Sequence, residues 1–137
     1  MERTLIIVKP DAVEKNFSGE IIKRFESNGF KISGARFIKM DPKKAEGFYY
    51  VHQEKPFFES LVEFMISGPV FVMSMKKDNA VEDARKLIGA TNPKNAEVGT
   101  IRKDFAESIE RNAIHGSDSV ESARFEIGYF FETEELL

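Results

Sequence analysis

Thr4-Leu5-Ile6-Ile7-Val8 is a near-continuous aliphatic and β-branched run. With no polar alternation across it, the run reads as a buried central strand. It ends in Lys9-Pro10-Asp11. Lys9 therefore stands at the mouth of a central strand, a place that suits a functional cation and equally a solubilising one.

The rest of the chain arranges itself around that strand. Ser18 to Asn28 reads as a helix with Ile21, Ile22 and Phe25 inward and Asn28-Gly29 as its stop. Lys31 to Met40 is a second strand. Asp41-Pro42 opens a short helix that runs to about Tyr50, and Lys55-Pro56 breaks it. Phe57 to Ser67 is the next helix, with Phe58, Leu61, Val62 and Met65 as its core stripe. Phe57, Leu61 and Phe64 form a neighbouring stripe. Phe57, at the open end, can stack on a flat ligand or simply cover the core.

Val70 to Met75 is a third strand, and Asn79 to about Ile88 a helix. Arg85 sits near that helix's C-terminus, where it complements the dipole whether or not it has another role. Gly89 to Thr100 is a long loop of low apolar content, a length that leans towards function. Ile101-Arg102-Lys103-Asp104-Phe105 leads through a short helix to a fourth, short strand at Ala113-Ile114. A final helix covers Ser119 to about Ile127. The order β-α-β-(α-α)-β-α-β-α predicts an α+β fold, a four-stranded antiparallel sheet covered by helices on the ferredoxin-like βαββαβ plan. The expectation is one domain over residues 1–137.

Composition narrows the function. The 137 residues are 42% apolar, with 13 Phe and no Trp, which argues against disorder. A net charge of -3 gives no global pull towards nucleic acid or an acidic membrane, so any anion site needs local clustering of cations. There is no cysteine, hence no disulfide, thiolate metal site or thiol nucleophile. The two histidines lie far apart in sequence, which disfavours a histidine metal site. Neither a signal peptide nor a long apolar run is visible, and a cytoplasmic setting is expected.

Asn112-Ala113-Ile114-His115-Gly116-Ser117-Asp118-Ser119 holds one of those histidines just before a helix start. Asp118 is the expected N-cap, with Glu121 as the return arm of a capping box. A helix start favours anions, and imidazole is a neutral nucleophile near pH 7. A turn or capping histidine would fit the same place. Ser119, Ser122 and Glu126 share a helix face, and the small serines leave room for Glu126 to reach back and orient the His115 ring. Lys9, Arg85 and Arg102 are cations at element ends or in loops, and Thr91 and Asn112 add hydrogen-bonding capacity. That is the inventory of phosphoryl transfer: positioning and charge stabilisation. No G-x-x-x-x-G-K-[ST] loop or protein-kinase motif is present.

Six segments in order carry a resemblance over essentially the whole chain: Thr4–Asp11, Gly19–Glu26, Ser67–Val70, Gly89–Pro93, Gly99–Arg102 and Arg111–Ser119. The sequence resembles the nucleoside diphosphate kinase family. The resemblance implies transfer of the γ-phosphoryl group from a nucleoside triphosphate to a nucleoside diphosphate, by a ping-pong route through a phosphohistidine on His115. It implies Glu126 as the holder of the other ring nitrogen. Lys9, Tyr50, Arg85, Thr91, Arg102 and Asn112 match the family's phosphate and ribose contacts, with Lys9 and Asn112 the pair on the sugar hydroxyl. Phe57 matches the base platform, Ile109 the apolar residue on the base's other side, and Leu61 belongs to the same nucleotide-binding set. Stacking without base-edge bonds would tolerate every base.

The resemblance further implies Mg²⁺ carried on the nucleotide phosphates, with Asp118 touching it at most through water and no protein metal site. It implies a homo-oligomer, tetramer or hexamer, with no membrane and no obligate nucleic acid as partner. Three features depart from the family pattern: Val98 before Gly-Thr-Ile-Arg, Glu110 before Arg-Asn, and an end at Leu137 without the extension of longer relatives. Two other readings share parts of this inventory. A histidine phosphocarrier would need no base platform, and Phe57, Arg85 and Arg102 count against it. A ferredoxin-like nucleic-acid-binding module would need an RNP-type aromatic pattern, which strands Leu5–Val8 and Val70–Met75 lack.

Overall fold

The computed structural model describes residues 1–137. Its sheet has four antiparallel strands, β1 (Glu2–Val8), β2 (Lys31–Ile38), β3 (Val70–Lys77) and β4 (Ile114–Gly116), in the order β2-β3-β1-β4. β1 is central, as its apolar run requires. Leu5 and Ile7 join one hydrophobic cluster, Ile6 and Val8 the other. Alternate side chains leave opposite faces of a strand, so only a strand covered on both sides is apolar throughout.

Seven helices flank the sheet: α1 (Pro10–Glu14), α2 (Ser18–Ser27), α3 (Pro42–Phe48), α4 (Phe58–Met65), α5 (Ala80–Ile88), α6 (Ile101–Phe105) and α7 (Val120–Phe130). The Leu5/Ile7 cluster takes Phe48 from α3, Val62 and Met65 from α4, and Ala123, Ile127 and Phe130 from α7. The Ile6/Val8 cluster takes Ile21 and Phe25 from α2, and Ala80, Ala84 and Ile88 from α5. Burying these side chains on both faces is the main driving force for the fold.

Several local expectations change. Pro10 does not merely end the strand; it occupies the first turn of α1, where its missing N–H costs nothing. α7 runs on to Phe130, since Phe130 still has a core to bury. Its N-cap is Ser119, not Asp118. Ser119 is extended and its hydroxyl accepts the Ser122 N–H at 3.0 Å. That places Glu121 second in the helix, one position short of a capping-box return. The long loop holds a 3-10 turn, Pro93–Asn95, capped by the Asn92 side chain.

Candidate active site

His115 is a strand residue, paired with Ile7 across β1/β4. Paired residues project to the same face, so the imidazole points into the layer of α3, α4 and α7. There the Phe48 ring meets it edge-on at 5.3 Å. Behind it, Glu126 reaches back from α7. Glu126 Oε1 lies 2.9 Å from His115 Nε2 and also accepts the Ser117 hydroxyl at 2.7 Å. A carboxylate only accepts, so this network assigns the ring proton to Nε2. Nδ1 then keeps its lone pair. Ser117 is itself fixed, because its Oγ accepts the Leu5 N–H of β1 at 3.0 Å.

The strand carrying the histidine is entered through a strained residue. Ala113 has φ +71°, in the left-handed region that costs a residue with a Cβ about 1 kcal/mol or more. Two contacts from the start of the chain hold it. The Ala113 N–H donates to Asp11 Oδ2 at 3.1 Å, and its carbonyl accepts the Lys9 N–H at 2.9 Å. The strain turns Asn112 inward, where its Oδ1 accepts a hydrogen bond from Lys9 Nζ at 2.8 Å.

Lys9 is only 7% exposed. Burial, reinforced by the Arg102 charge and partly offset by Asp11, brings its pKa down from 10.5 to about 8. Arg102 rises from α6 and donates to three backbone carbonyls, Ile114 at 2.8 Å, Gly89 at 3.3 Å and Asn112 at 3.4 Å. Burial, with the neighbouring Arg85 charge, lowers it to about 10. The Gly89 carbonyl is available because Gly89 adopts φ +91°, packed so closely on Thr100 that a Cβ would sit 2.6 Å from its Oγ1. Lys9 and Arg102 thus repel each other, and Arg102 and Arg85 do the same, inside a chain of net charge -3. Such a cluster is an anion site waiting for its charge.

Beside it opens a cleft of about 660 Å³ whose lining includes the polar Lys9, Thr91 and Asn112 and the apolar Phe57, Leu61, Phe64 and Ile109. Phe57 is 46% and Ile109 56% exposed. Apolar area left open to water inside a cleft fits a flat hydrophobic ligand.

Tyr50 is not brought into this group. It begins a 3-10 turn, Tyr50–His52, and stands 62% exposed. Its neighbour Tyr49 is buried instead, stacked edge-on against Phe48 at 4.8 Å, with no hydrogen-bond partner for its hydroxyl. Burial and the Glu126 charge push its pKa upward, so it stays a neutral donor. Helical spacing could have chosen it: Ala45, Phe48 and Tyr49 fall at i, i+3, i+4 and all are buried. His52 is the other residue that sequence spacing hid. Burial and Lys55 lower its pKa, Asp118 opposes, and the His115 charge lowers it further. Nowhere do three His, Cys, Asp or Glu side chains converge as metal ligands.

A family model described as nucleoside diphosphate kinase matches residues 2–136. A nucleoside diphosphate kinase of Geotalea daltonii is 58% identical over 137 residues, covering all of both chains. One from Francisella philomiragia is 57% identical over 136 residues, covering 99% of this chain and 97% of its own. Among solved structures, the Aquifex aeolicus nucleoside diphosphate kinase superposes with a TM-score of 0.98 at 46% identity, over 99% of each chain. A halophilic relative from Halobacterium salinarum, solved in complex with CDP, gives 0.95 at 41% identity, over 99% of this chain and 91% of that one.

Proposed function

The chain belongs to the nucleoside diphosphate kinase family and has its activity, and from that premise we propose that His115 Nδ1 is the atom that carries the phosphoryl group. One observation supports this above the others: Glu126 holds Nε2 at 2.9 Å, which leaves Nδ1 as the free nucleophile. Its lone pair attacks the γ-phosphorus, the bond from that phosphorus to the bridging oxygen breaks, and a nucleoside diphosphate leaves. A second diphosphate then takes the phosphoryl group by the reverse step. Glu126 stabilises the positive ring formed in between, while Nε2 keeps its proton.

Arg102, Arg85 and Thr91 receive the phosphate oxygens, and the unpartnered Tyr49 hydroxyl offers a further donor towards His115. Lys9 and Asn112 take the sugar hydroxyl. Phe57, Leu61 and Ile109 enclose the base. Mg²⁺ would come in on the nucleotide phosphates, with Asp118, an exposed carboxylate, able to hold it through water. When carried in on the nucleotide, such an ion would supply neutralisation of the phosphate charge.

The same reading makes the chain a single domain over 1–137, whose one sheet carries both hydrophobic clusters. It also makes it a homo-oligomer, tetramer or hexamer, in keeping with exposed Phe37 and Phe125. No helix is long and apolar enough to cross a membrane, and a cytoplasmic setting is part of the proposal.

A two-stage label transfer tests it. Wild type and His115→Ala are incubated with γ-labelled ATP and Mg²⁺, freed of nucleotide, and then given GDP. Acid-labile label on wild type alone, passing to GTP, is expected. Label that stays on the protein would indicate a phosphocarrier, and equal label on both proteins would remove His115.

A further inference from the structure

Two ionised side chains at the rim of the cleft take no part in the chemistry above. Glu110 and Arg111 follow Ile109, and both line the cleft. Both are exposed, and neither is spent in an ion pair. They are nevertheless held in place. The N–H groups of Glu107 and Ser108 donate to the Arg111 carbonyl at 2.9 and 3.3 Å, and the Arg111 N–H donates to Ser108 Oγ at 3.0 Å. This closed turn carries Ile109 and Glu110 at its tip. The Arg111 guanidinium lies over the Phe64 ring, 5.4 Å from its centre, which keeps it on the cleft side. Glu110 also borders the shallower groove of Asn92, Pro93 and Lys94, so it stands on the ridge between the two.

We propose that Glu110, assisted by Arg111, adds a modest preference for guanine to a cleft that otherwise accepts every base by stacking. The proposal rests on the reading that the base lies between Phe57 and Ile109. With both faces of the ring covered, only an edge remains to meet the rim. A carboxylate accepts and never donates, while a guanidinium donates and never accepts. Guanine offers the complement: two adjacent donors, N1–H and the 2-amino group, next to the O6 acceptor. Uracil and thymine set one donor between two carbonyls, which the carboxylate repels. Adenine and cytosine place a ring acceptor beside a single amine. Charge-assisted pairing of the carboxylate with N1–H and the 2-amino group is the strongest match available at this rim.

Inosine diphosphate differs from GDP only in lacking the 2-amino group, so the pair isolates the contact. Steady-state kcat/KM is measured for both acceptors with ATP as donor, in wild type, Glu110→Gln, Glu110→Ala and Glu63→Gln. Glu63 is the carboxylate on the α4 side of the same cleft. The readout is the GDP-to-IDP ratio, which a general loss of stability leaves unmoved. Wild type is expected to favour GDP about five-fold, the scale of one ordinary net hydrogen bond at a solvent-exposed rim, and both Glu110 variants to bring the ratio to about one. An equal ratio in wild type and the Glu110 variants overturns the proposal, as does a ratio lost in Glu63→Gln but kept in Glu110→Gln. A Phe57→Ala variant with unaltered KM for every acceptor would instead remove the base from this cleft, and the proposal with it.

Discussion

Ser117→Ala removes one oxygen that serves two partners. In the folded chain Ser117 Oγ accepts from Leu5 N at 3.0 Å and donates to Glu126 Oε1 at 2.7 Å, and both Leu5 and Ser117 are fully buried. Without the hydroxyl the Leu5 N–H has no partner and no water, at a cost of about 1–3 kcal/mol. Glu126 loses one of its two donors but keeps His115, which adds about 1 kcal/mol. The sum is about 2–4 kcal/mol, and at roughly 3 °C per kcal/mol for a chain of this length Tm should fall by about 6–12 °C. Chemistry should suffer separately, because a carboxylate freed on one side aims the imidazole less well. Single-turnover phosphorylation of His115 should slow by roughly 10- to 100-fold, the scale of a small misplacement of a reacting atom. Circular-dichroism melts at fixed protein concentration and quench-flow phosphorylation at a temperature well below both melts check the two parts. A Tm within 1 °C of wild type would refute the orphaned N–H. A lowered Tm with an unchanged phosphorylation rate would refute the aiming role.

Other perturbations separate charge from geometry. Arg102→Ala should lower kcat/KM by about 10²–10³, as for a lost charge-stabilising donor. Arg102→Lys keeps a cation yet should recover only part, because one ammonium cannot brace the carbonyls of Gly89, Asn112 and Ile114 together; unchanged turnover in Arg102→Ala would remove it from the site. Lys9 has its folded pKa near 8, below the 10.5 of the unfolded chain. The free enzyme should therefore lose this cation, and kcat/KM should decline, as pH rises through about 8. The stability effect has the opposite sign: between about 8 and 10.5 the unfolded chain holds more protons at this site, so Lys9's contribution to stability rises with pH. Lys9→Met should abolish both trends, and a wild-type profile flat from pH 7 to 9 would contradict them.

Which parts of this were legible in the sequence follows from how local their causes are. β1 could be read because burial on both faces leaves an unbroken apolar run from Leu5 to Val8. The reach of Glu126 towards His115 could be read because both sit within one strand-turn-helix unit, where helical spacing sets direction. Asp118 and Ser119 are both good capping residues, and only the extended backbone of Ser119 makes it the cap. Tyr50 enters only through the resemblance, whereas the helical period of Ala45, Phe48 and Tyr49 buries Tyr49. Asp11 bracing Ala113 could not be read at all. This contact joins residues 102 positions apart, and no local pattern encodes it.

Those long separations have a consequence for the order in which the molecule becomes an enzyme. Lys9 meets Asn112, Asp11 meets Ala113 and Leu5 meets Ser117 across 103, 102 and 112 positions. The groups in the first 111 residues that brace the nucleophile have nothing to hold until the strand that carries it has been made. On a ribosome the central strand emerges early and must wait, its β4 edge open, until almost the whole domain has been made. Closing such distant contacts is the slow part of folding. Phosphoryl transfer in this chain should therefore be the last property to appear during synthesis, and the first to vanish when the β1–β4 seam frays.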